Sequence, residues 1–484
     1  MPVVQWRFDN TYTRLPRLFY SKQGATAAPA PKLVLLNHAL ARDLGLDFSG
    51  TDDAALAALF SGNVLPEGAE PFAQAYAGHQ FGGFSLLGDG RALVLGEHVA
   101  PDGRRVDIQF KGSGPTRYSR SGDGRAALGP MLREYVISEA MQALGIPTTR
   151  SLAVVATGQP VYRERPLPGA VLTRVAASHL RVGTFQYAAA QGDPALVAQL
   201  VDYAIDRHYP HLKDAASPGL ALLQAVGERQ LALVVEWLRV GFIHGVMNTD
   251  NVTIAGETID YGPCAFMDAH DPTTVFSSID HQGRYAFGNQ PRIMLWNLAR
   301  FAESLLPSID ADGEKAVELA TASLHALADI FEAGWLAMMG RKLGLSGSEP
   351  DDRALCDDLL SWMTLARADH TNTFRALAVD ALPYGAVFDD PAFGQWHARW
   401  RARLGRQGDA LPAVFERMRA ANPAYIPRNH QVEAALAAGS AGDLAPMHRL
   451  LEVLADPYAA RDGLDEYAQP AVPDGRVYQT FCGT

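Results

Sequence analysis

The chain changes character about a third of the way along, and this change limits its possible folds more than any other feature. Residues 71–115 are rich in glycine and contain short β-prone runs, FSLLG, RALVLGEHV and RVDIQFKG, joined by GDGR (88–91) and PDGR (101–104). Asp-Gly between two such runs is a strong hairpin signal. From about residue 193, helical patterns dominate almost to the C-terminus. This order predicts an α+β fold in which a small strand-rich lobe precedes a larger, mainly helical lobe.

Three segments carry clear helix signals. LGPMLREYVISEAMQALGIP has residues of one face at helical spacing and ends at Gly145 and Pro147. In DPALVAQLVDYAIDRHY, Asp193 is an expected N-cap and Pro194 the first helical residue. PGLALLQAVGERQLALVVEWLRVGF is long and apolar and leads directly into His244. Between the first two, SLAVVAT and AVLTRVA are strand candidates, so we expect one helix within the small lobe.

Composition excludes several classes of protein. The 484 residues are 48% hydrophobic and 20% charged, which is ordinary for a soluble globular protein and wrong for a disordered one. Lys plus Arg number 42 against 53 Asp plus Glu, for a formal charge of -11. An acidic surface repels DNA and anionic membranes, so we expect no nucleic-acid or membrane partner.

Targeting signals and cysteine usage predict a reducing compartment. The N-terminal stretch MPVVQWRFDNTYTRLPRLFY has no apolar core of a signal peptide, and no window approaches the roughly 20 apolar residues of a membrane span. Cys264, Cys356 and Cys482 cannot form a disulfide framework and lack the paired spacing of a zinc site. The sequence therefore predicts a cytoplasmic location.

The stretch HGVMNTDNVTIAGETIDYGP (244–263) contains most of a phosphoryl-transfer site. We expect residues 252–260 to form a hairpin that brings Asn251 and Asp260 together as oxygen ligands for Mg²⁺. Protein kinases use an Asn and an Asp in this way and place a catalytic Asp two residues after the His. Val246 occupies that position here, whereas Asp250 stands beside Asn251. An Asp-Asn pair alone is also an ordinary loop turn.

A lysine and a glutamate at kinase-like separation accompany this stretch. Lys111 follows an apolar strand, and Glu134 lies 23 residues later, early in the predicted helix of the small lobe. Kinases pair such a lysine with such a glutamate beside the nucleotide phosphates. A single lysine after a strand is otherwise a solvated surface charge.

Two glycine turns and two arginines add candidate phosphate contacts. LGDGR (87–91) and RSGDGR (120–125) offer bare backbone next to an arginine, although each alone is a common turn. Arg174 and Arg181 are seven residues apart and would share a face if TRVAASHLR were helical. Solvated surface positions are the alternative for these arginines.

Long stretches of the chain resemble the selenoprotein O family, also called the YdiU family. They include YAGHQFGGFSLLGDGRALVLGE, FKGSGPTRYSRSGDGRAALGPMLREYVISEAMQALGIPTTRSL and HGVMNTDNVTIAGETIDYGPCAFMD, with PAYIPRNHQVEAAL (423–436) and the tail YQTFCGT. The resemblance implies a bilobal protein-kinase-like fold that binds ATP flipped relative to kinases. It further implies transfer of AMP, rather than phosphate, to hydroxyl side chains of proteins, with Mg²⁺ or Mn²⁺.

The resemblance also assigns residues. It implies Asp250 as the catalytic base, Asn251 and Asp260 as metal ligands, and Glu134 as the ion-pair partner of Lys111. The implied ATP site comprises Gly88, Gly90, Arg91, Lys111, Asp123, Gly124, Arg174, Arg181 and Asp260. We expect an N-terminal extension over residues 1–70, a small lobe over 71–180, a large lobe over 181–330 and a helical C-terminal extension over 331–484.

Two questions stay open at the level of sequence. Some family members carry selenocysteine near the C-terminus, where this chain has Cys482, and a reversible Cys264–Cys482 bridge is a hypothesis. The activity has two rivals: an ordinary phosphotransferase and a catalytically inactive ATP-binding scaffold. Val246 argues against the first. The second is disfavoured by the joint presence of Lys111, Glu134, Asn251 and Asp260.

Overall fold

The computed structural model describes residues 5–472 and 478–480, and it confirms the α+β class with strands first and helices after them. The strands are β1 (Tyr20–Lys22), β2 (Lys32–Leu36), β3 (Phe72–Gln80), β4 (Gly83–Gly88), β5 (Ala92–Val99), β6 (Arg105–Lys111), β7 (Ala126–Ala127), β8 (Arg150–Tyr162), β9 (Pro166–Ala176), β10 (Phe242–Ile243) and β11 (Ala265–Phe266). The helices are α1 (His38–Asp43), α2 (Asp53–Phe60), α3 (Leu128–Ala143), α4 (Val182–Ala189), α5 (Pro194–His208), α6 (Pro218–Val240), α7 (Gln290–Ile309), α8 (Gly313–Leu343), α9 (Asp352–Ala366), α10 (His370–Ala376), α11 (Pro391–Arg406), α12 (Leu411–Ala421), α13 (Asn429–Ser440), α14 (Ala445–Leu454) and α15 (Asp465–Ala468).

The first nine strands form one antiparallel sheet. Its order is β1-β3-β5-β6-β9-β8-β2, with β4 attached to β3 and β7 to β9. Strands from the first 36 residues thus lie at both ends of the sheet, which joins the N-terminal segment to the small lobe by main-chain hydrogen bonds. The helix α3 packs on β8 and β9 and is the helix expected within this lobe.

One of the two predicted hairpins is present and the other is wrong. PDGR (101–104) connects β5 to β6, which pair along their lengths. GDGR (88–91) does not close a β4–β5 hairpin, because β4 folds back on β3 through a two-residue turn at Phe81 and Gly82. Both turn residues have positive φ, 51° and 90°, which is the backbone of a type I′ turn. Phe81 therefore holds a left-handed conformation that non-glycine residues rarely adopt.

The predicted helices of the large lobe are confirmed. Pro194 begins α5, and the side chain of Asp193 accepts a hydrogen bond from the amide of Ala195 at 2.9 Å, as an N-cap does. The apolar segment before His244 is α6, which ends at Gly241 in the left-handed conformation. The long helices α6, α7 and α8 pack on one another and form the centre of the helical part.

The proposed division into four regions stays a prediction. One of its boundaries, between residues 330 and 331, falls within α8, which continues without interruption from Gly313 to Leu343. Within the described residues, no helix combines the length and the apolar character that crossing a membrane requires.

Candidate active site

Four charged side chains meet where the sheet faces the helical part. Lys111 ends β6, Arg174 lies on β9, Glu134 is on α3, and Asp260 lies in the long connection between β10 and β11. The Nζ of Lys111 donates to Oε2 of Glu134 at 2.8 Å and also to Oδ1 of Asp260. The Arg174 guanidinium donates to Oε1 of Glu134 and, at 2.7 Å, to the same Oδ1 of Asp260. Two cations and two carboxylates therefore form one closed network, called here the ion network.

The register of the sheet explains why two cations lie together. Gln109 and Arg174 are directly opposite each other on β6 and β9, and Lys111 lies two residues beyond Gln109. Side chains at such positions share one face of a sheet. The helical interpretation of TRVAASHLR is therefore wrong: Arg174 is in a strand, whereas Arg181 lies beyond the strand's end and precedes α4. Gln109 accepts a hydrogen bond from Arg174 at 3.3 Å.

The ion network keeps its carboxylates ionised. Burial by itself raises the pKa of Asp260, but Lys111 and Arg174 outweigh it and hold the pKa well below 3.8. The pKa of Glu134 is also lowered, because Arg174 and Lys111 outweigh its burial. Burial lowers the pKa of Lys111, and neighbouring Arg174 adds to this effect. The Asp260 side chain is 33% exposed, against 5% or less for the other three, so it is the member that faces the cleft.

A second buried ion pair holds the loop that carries Asp250. Arg181 donates from Nη1 to the backbone carbonyl of Asp250 at 3.0 Å, and its Nη2 lies 3.5 Å from Oδ1 of Asp89. The guanidinium also stacks on the ring of Tyr76, 4.5 Å from its centroid. Arg181 thus connects β3, the GDGR turn and the Asp250 loop.

Asp250 is a buried carboxylate with one oxygen that has no hydrogen-bond partner among the described residues. Its side chain lies against Gly78 on β3, and its Oδ1 is unpaired. Burial raises the pKa of Asp250 to about 6, and Arg181 opposes this only in part. Buried polar atoms are normally hydrogen-bonded, so an unpaired, buried carboxylate oxygen makes Asp250 a candidate functional residue.

The segment 248–260 differs from its predicted form. A 3₁₀ turn at Thr249–Asn251 places Asp250, and residues 252–260 do not form a hairpin. Instead, Thr253 forms a β-bridge with Arg181 and Thr258 forms one with Thr148, so partners outside the segment bind these backbone groups. Asp260 itself adopts a left-handed conformation with φ of 68°.

Asn251 and His244 hold the ends of this segment. Asn251 donates from Nδ2 to the carbonyl of Val246 at 3.0 Å. The buried His244 contacts the carbonyl of Ile259 through Nε2 at 2.9 Å. Burial lowers the pKa of His244, so the ring is neutral at physiological pH. These contacts fix Asn251 and Asp260 relative to each other on either side of the loop.

The two glycine turns lie on either side of one loop, residues 114–119. A Cβ on Gly88 would approach the Tyr118 ring to 2.4 Å, and one on Gly124 would approach the Gly114 backbone to 2.2 Å. Gly90 also packs against Tyr118 and Ser119. The glycines of both turns therefore pack closely against the same loop, and no larger residue would fit at Gly88 or Gly124.

Arg91 and Asp123 occupy different surroundings. Arg91 lies close enough to the ion network to lower the pKa of Asp260 alongside Lys111 and Arg174. Asp123 is on the surface, where its carboxylate pairs with Arg163 at 3.0 Å. The structure thus places Arg91 beside the network and Asp123 in an ion pair outside it.

The oxygen donors present fit a divalent cation. Hard cations of the Mg²⁺ class bind through one or two carboxylates and retain water. Asp260 is ionised and partly exposed, and Asn251 and Asp250 offer further oxygens nearby in the chain. Among the described residues, no group of three or more His, Cys, Asp and Glu side chains is arranged to hold a metal by itself. A water-rich site that is completed by nucleotide phosphates suits this donor set.

Sequence reasoning missed three residues of the site. In the sequence, Asp89 is part of a predicted turn, Gln109 is part of a predicted strand, and no pattern distinguishes Gly78. Asp89 and Gln109 are buried polar residues that contact Arg181 and Arg174. Buried polar residues within otherwise apolar strands were the available signal for Gln109.

The two cysteines among the described residues are buried thiols. Cys264 and Cys356 are free and buried, and burial raises the pKa of each thiol to about 12. Cys482 lies outside the described residues, so the Cys264–Cys482 bridge stays a prediction. The nearest described tail residue, Thr480, donates from Oγ1 to the carbonyl of Pro263 at 2.6 Å.

Comparisons with known proteins agree with this geometry. The family model described as protein adenylyltransferase SelO matches residues 2–455. The chain is 58% identical over 482 residues to a protein nucleotidyltransferase YdiU of Nitrosococcus oceani, covering 99% of this chain and 98% of that protein. It is 58% identical over 480 residues to the YdiU protein of Alcanivorax borkumensis, covering 99% of each.

A more distant bacterial relative and one solved structure complete the comparison. The YdiU protein of Bacillus cereus strain AH187 is 56% identical over 480 residues, covering 99% of this chain and 98% of that protein. A structure of ROP2 from Toxoplasma gondii, described as having a protein-kinase fold and no enzymatic activity, is 11% identical. It covers 69% of this chain and 88% of its own, with a TM-score of 0.25, too low for any inference from it.

Proposed function

Because this chain belongs to the SelO family of protein adenylyltransferases, we propose that it transfers AMP from ATP to Ser, Thr or Tyr hydroxyls of proteins. The acceptor oxygen forms a bond to the α-phosphorus while the bond between that phosphorus and the α,β-bridging oxygen breaks. The products are an AMP-protein and pyrophosphate, and the hydroxyl proton leaves to a base.

Asp250 is the base in this proposal, and its unpaired oxygen is the observation that carries it. A base must lie within hydrogen-bond reach of the proton it removes. Among the described residues, Oδ1 of Asp250 has no hydrogen-bond partner, and the missing side chain of Gly78 leaves room for this carboxylate beside β3. Arg181 holds the backbone of Asp250 and thereby fixes the position of the carboxylate.

The ion network supplies the cations for the phosphates. Lys111 and Arg174 share Oδ1 of Asp260, and Arg91 lies close enough to act on the same carboxylate. Three cations suit a pyrophosphate leaving group, since charge develops on it as the α,β bond breaks. Gly88, Gly90 and Gly124 would let main-chain groups approach the nucleotide, and we retain Asp123 as a contact from the second turn.

A divalent cation completes the proposal. Asn251 and Asp260 would hold it, and Mg²⁺ or Mn²⁺ would offset negative charge on the transferred phosphoryl group. Glu134 does not contact the nucleotide in this proposal; its carboxylate fixes the positions of Lys111 and Arg174. We also retain a cytoplasmic location as part of the proposal.

Labelled ATP separates this activity from its rivals. The protein is incubated with Mg²⁺ or Mn²⁺, an acceptor protein mixture and ATP that carries label on either the α- or the γ-phosphate. Label on protein only from the α position is the expected result. Transfer only from the γ position would show a phosphotransferase, and nucleotide binding without transfer from either position would show an inactive scaffold.

A further inference from the structure

We propose that Asp89 is a positioning residue for the transfer reaction: its carboxylate holds the Arg181 guanidinium in the place from which Arg181 fixes the main chain of Asp250. This role rests on the proposed function, because it takes Asp250 as the base. Three features of the structure support it: the attachment of Asp89 to β3, the pairing of the buried guanidinium, and the direct contact of that guanidinium with the Asp250 loop.

Asp89 is buried and is held firmly on the side away from Arg181. Its N–H donates to the carbonyl of Gln74 at 2.9 Å, and its Oδ2 accepts from the N–H of Gln74 at 3.0 Å. The carbonyl of Asp89 accepts a hydrogen bond from Oγ1 of Thr116 at 2.5 Å. The main chain and one carboxylate oxygen are therefore fixed by β3 and by the loop 114–119. The other oxygen, Oδ1, faces Arg181.

The Arg181 guanidinium is a buried charge that needs a counter-ion. Among the described residues, Asp89 is the only carboxylate that forms an ion pair with it, and Nη2 of Arg181 lies 3.5 Å from Oδ1 of Asp89. Leaving a buried charge without such a partner is costly. Nε of Arg181 has no hydrogen-bond partner among the described residues. The orientation of the guanidinium therefore depends on Asp89, on the Tyr76 ring beneath it and on one further hydrogen bond.

That further hydrogen bond reaches the proposed base. Nη1 of Arg181 donates to the carbonyl of Asp250 at 3.0 Å. Because Nη1 and Nη2 belong to one rigid planar group, a shift of Nη2 away from Asp89 also moves Nη1. The Asp250 carboxylate lies against Gly78, where a Cβ would come within 2.4 Å of Oδ1, so it has little room to move on that side. The position of Asp89 is thus passed to Asp250 through a single side chain.

The main chain and the side chain of Asp89 have separable roles. Asp89 lies between Gly88 and Gly90 and precedes Arg91, all three of which are proposed nucleotide contacts. Its main-chain hydrogen bonds hold this turn and do not depend on the side chain. An asparagine at position 89 keeps an oxygen for the Gln74 N–H, but it is uncharged and presents an NH₂ donor to the guanidinium. Asp89→Asn therefore removes the hold on Arg181 and leaves the turn in place.

Transfer rate and ATP affinity together test this role. The rate of label transfer from α-labelled ATP to the acceptor protein mixture is measured at saturating nucleotide, and ATP affinity is measured by calorimetry. Asp89→Asn should lower the rate about tenfold or more, because the base is misplaced, and ATP should bind no more weakly than to the wild type. Asp206→Asn, which breaks an ion pair with Lys213 whose partners are both exposed, is the matched control and should behave as the wild type. An unchanged rate, or a loss of ATP affinity as large as the loss of rate, would overturn the assignment.

A double variant tests whether Asp89 acts through Arg181. Adding Asp89→Asn to Arg181→Gln should lower the rate no further, because the residue that transmits the effect is already gone. The double variant should also melt at a higher temperature than Arg181→Gln, since Arg181→Gln leaves the buried carboxylate of Asp89 unpaired and the double variant removes both charges. A further loss of rate equal to that of Asp89→Asn alone, or no gain in melting temperature, would overturn the role of Asp89.

The melting temperatures also separate this role from the proposed function. If the wild type transferred no AMP to any acceptor, the proposed function would fail. The comparison of Arg181→Gln with the double variant would still decide whether Asp89 is the counter-ion of Arg181, because it requires no transfer.

Discussion

The carboxylate of Asp250 occupies the space that a side chain on Gly78 would need. A Cβ at Gly78 would lie 2.4 Å from Oδ1 of Asp250 and 2.9 Å from Cδ1 of Leu87. The backbone of Gly78 does not have positive φ, so a larger residue is excluded there by contact rather than by conformation. The hairpin and the proposed base are therefore fitted to each other.

Gly78→Ala should displace the base and lower the rate of AMP transfer about tenfold or more, since small misplacements of catalytic groups have large effects. ATP affinity, measured by calorimetry, should change little. Gly83→Ala is the control, because its Cβ would find its nearest atom, the Gln80 carbonyl, at 3.5 Å. Equal transfer rates for the two variants would show that Asp250 tolerates the displacement.

Asp250→Asn should lower kcat for AMP transfer by about 100-fold or more, because the acceptor hydroxyl loses its base. Since Arg181 contacts the backbone of residue 250, the substitution leaves that hydrogen bond in place. ATP binding and melting temperature should therefore be retained. Single-turnover measurement with α-labelled ATP checks the rate, and a variant with near-wild-type turnover would remove Asp250 from the proposed mechanism.

Glu134→Ala should destabilise the fold by about 3–5 kcal/mol, because it removes the fully buried one of the two carboxylates that Lys111 and Arg174 share. Urea denaturation of the metal-free protein measures the free energy of unfolding. Glu332→Ala, which breaks an ion pair with Arg353 whose partners are 56% and 51% exposed, should cost less than about 1 kcal/mol. If both variants lost similar amounts of unfolding free energy, the ion network would not be the stabilising buried cluster described here.

Glu257→Gln should stabilise the protein more at pH 8 than at pH 5. Burial raises the pKa of Glu257 from 4.5 to about 7, so the folded state holds this proton more tightly than the unfolded chain. The free energy of unfolding of the wild type therefore falls as pH rises from about 4.5 to 7, because Glu257 must ionise in a buried site. The neutral amide of Glu257→Gln does not contribute such a fall.

Between these pH values, the difference in free energy of unfolding between Glu257→Gln and the wild type should grow by about 1–3 kcal/mol. Glu318→Gln, on the exposed side of α8, should show no such growth. If the difference in free energy of unfolding between Glu257→Gln and the wild type were the same at pH 5 and pH 8, the raised pKa of Glu257 would be refuted.

Local patterns in the sequence were sufficient for much of the fold. The caps and periodicity of α3, α5 and α6 depend on neighbouring residues, so their positions could be read directly. The Lys111–Glu134 pair also followed from a strand and helix close in sequence. The GDGR turn and the loop at 252–260 could not be predicted, because distant partners determine each conformation, whereas Arg174 lies in the predicted strand AVLTRVA. β4 pairs with β3 rather than with β5, and Thr253 and Thr258 pair with Arg181 and Thr148 rather than with each other.

The unpredicted parts of the site have the same origin. Asp89 meets Arg181 across 92 positions in the chain, and Arg174 meets Asp260 across 86. Such contacts depend on how the sheet and the helical part meet, which no short window of sequence specifies.

Asp260 neutralises Lys111 and Arg174, the two cations that we propose bind the phosphates of the nucleotide. On the proposed function, nucleotide arrival is thus an exchange of anions: the triphosphate displaces an internal competitor instead of filling an empty positive pocket. Without nucleotide, the charges of the ion network balance, so the site should bind inorganic phosphate weakly. Asp260 is also a proposed metal ligand, so a nucleotide that carries a divalent cation would give the displaced carboxylate a new partner.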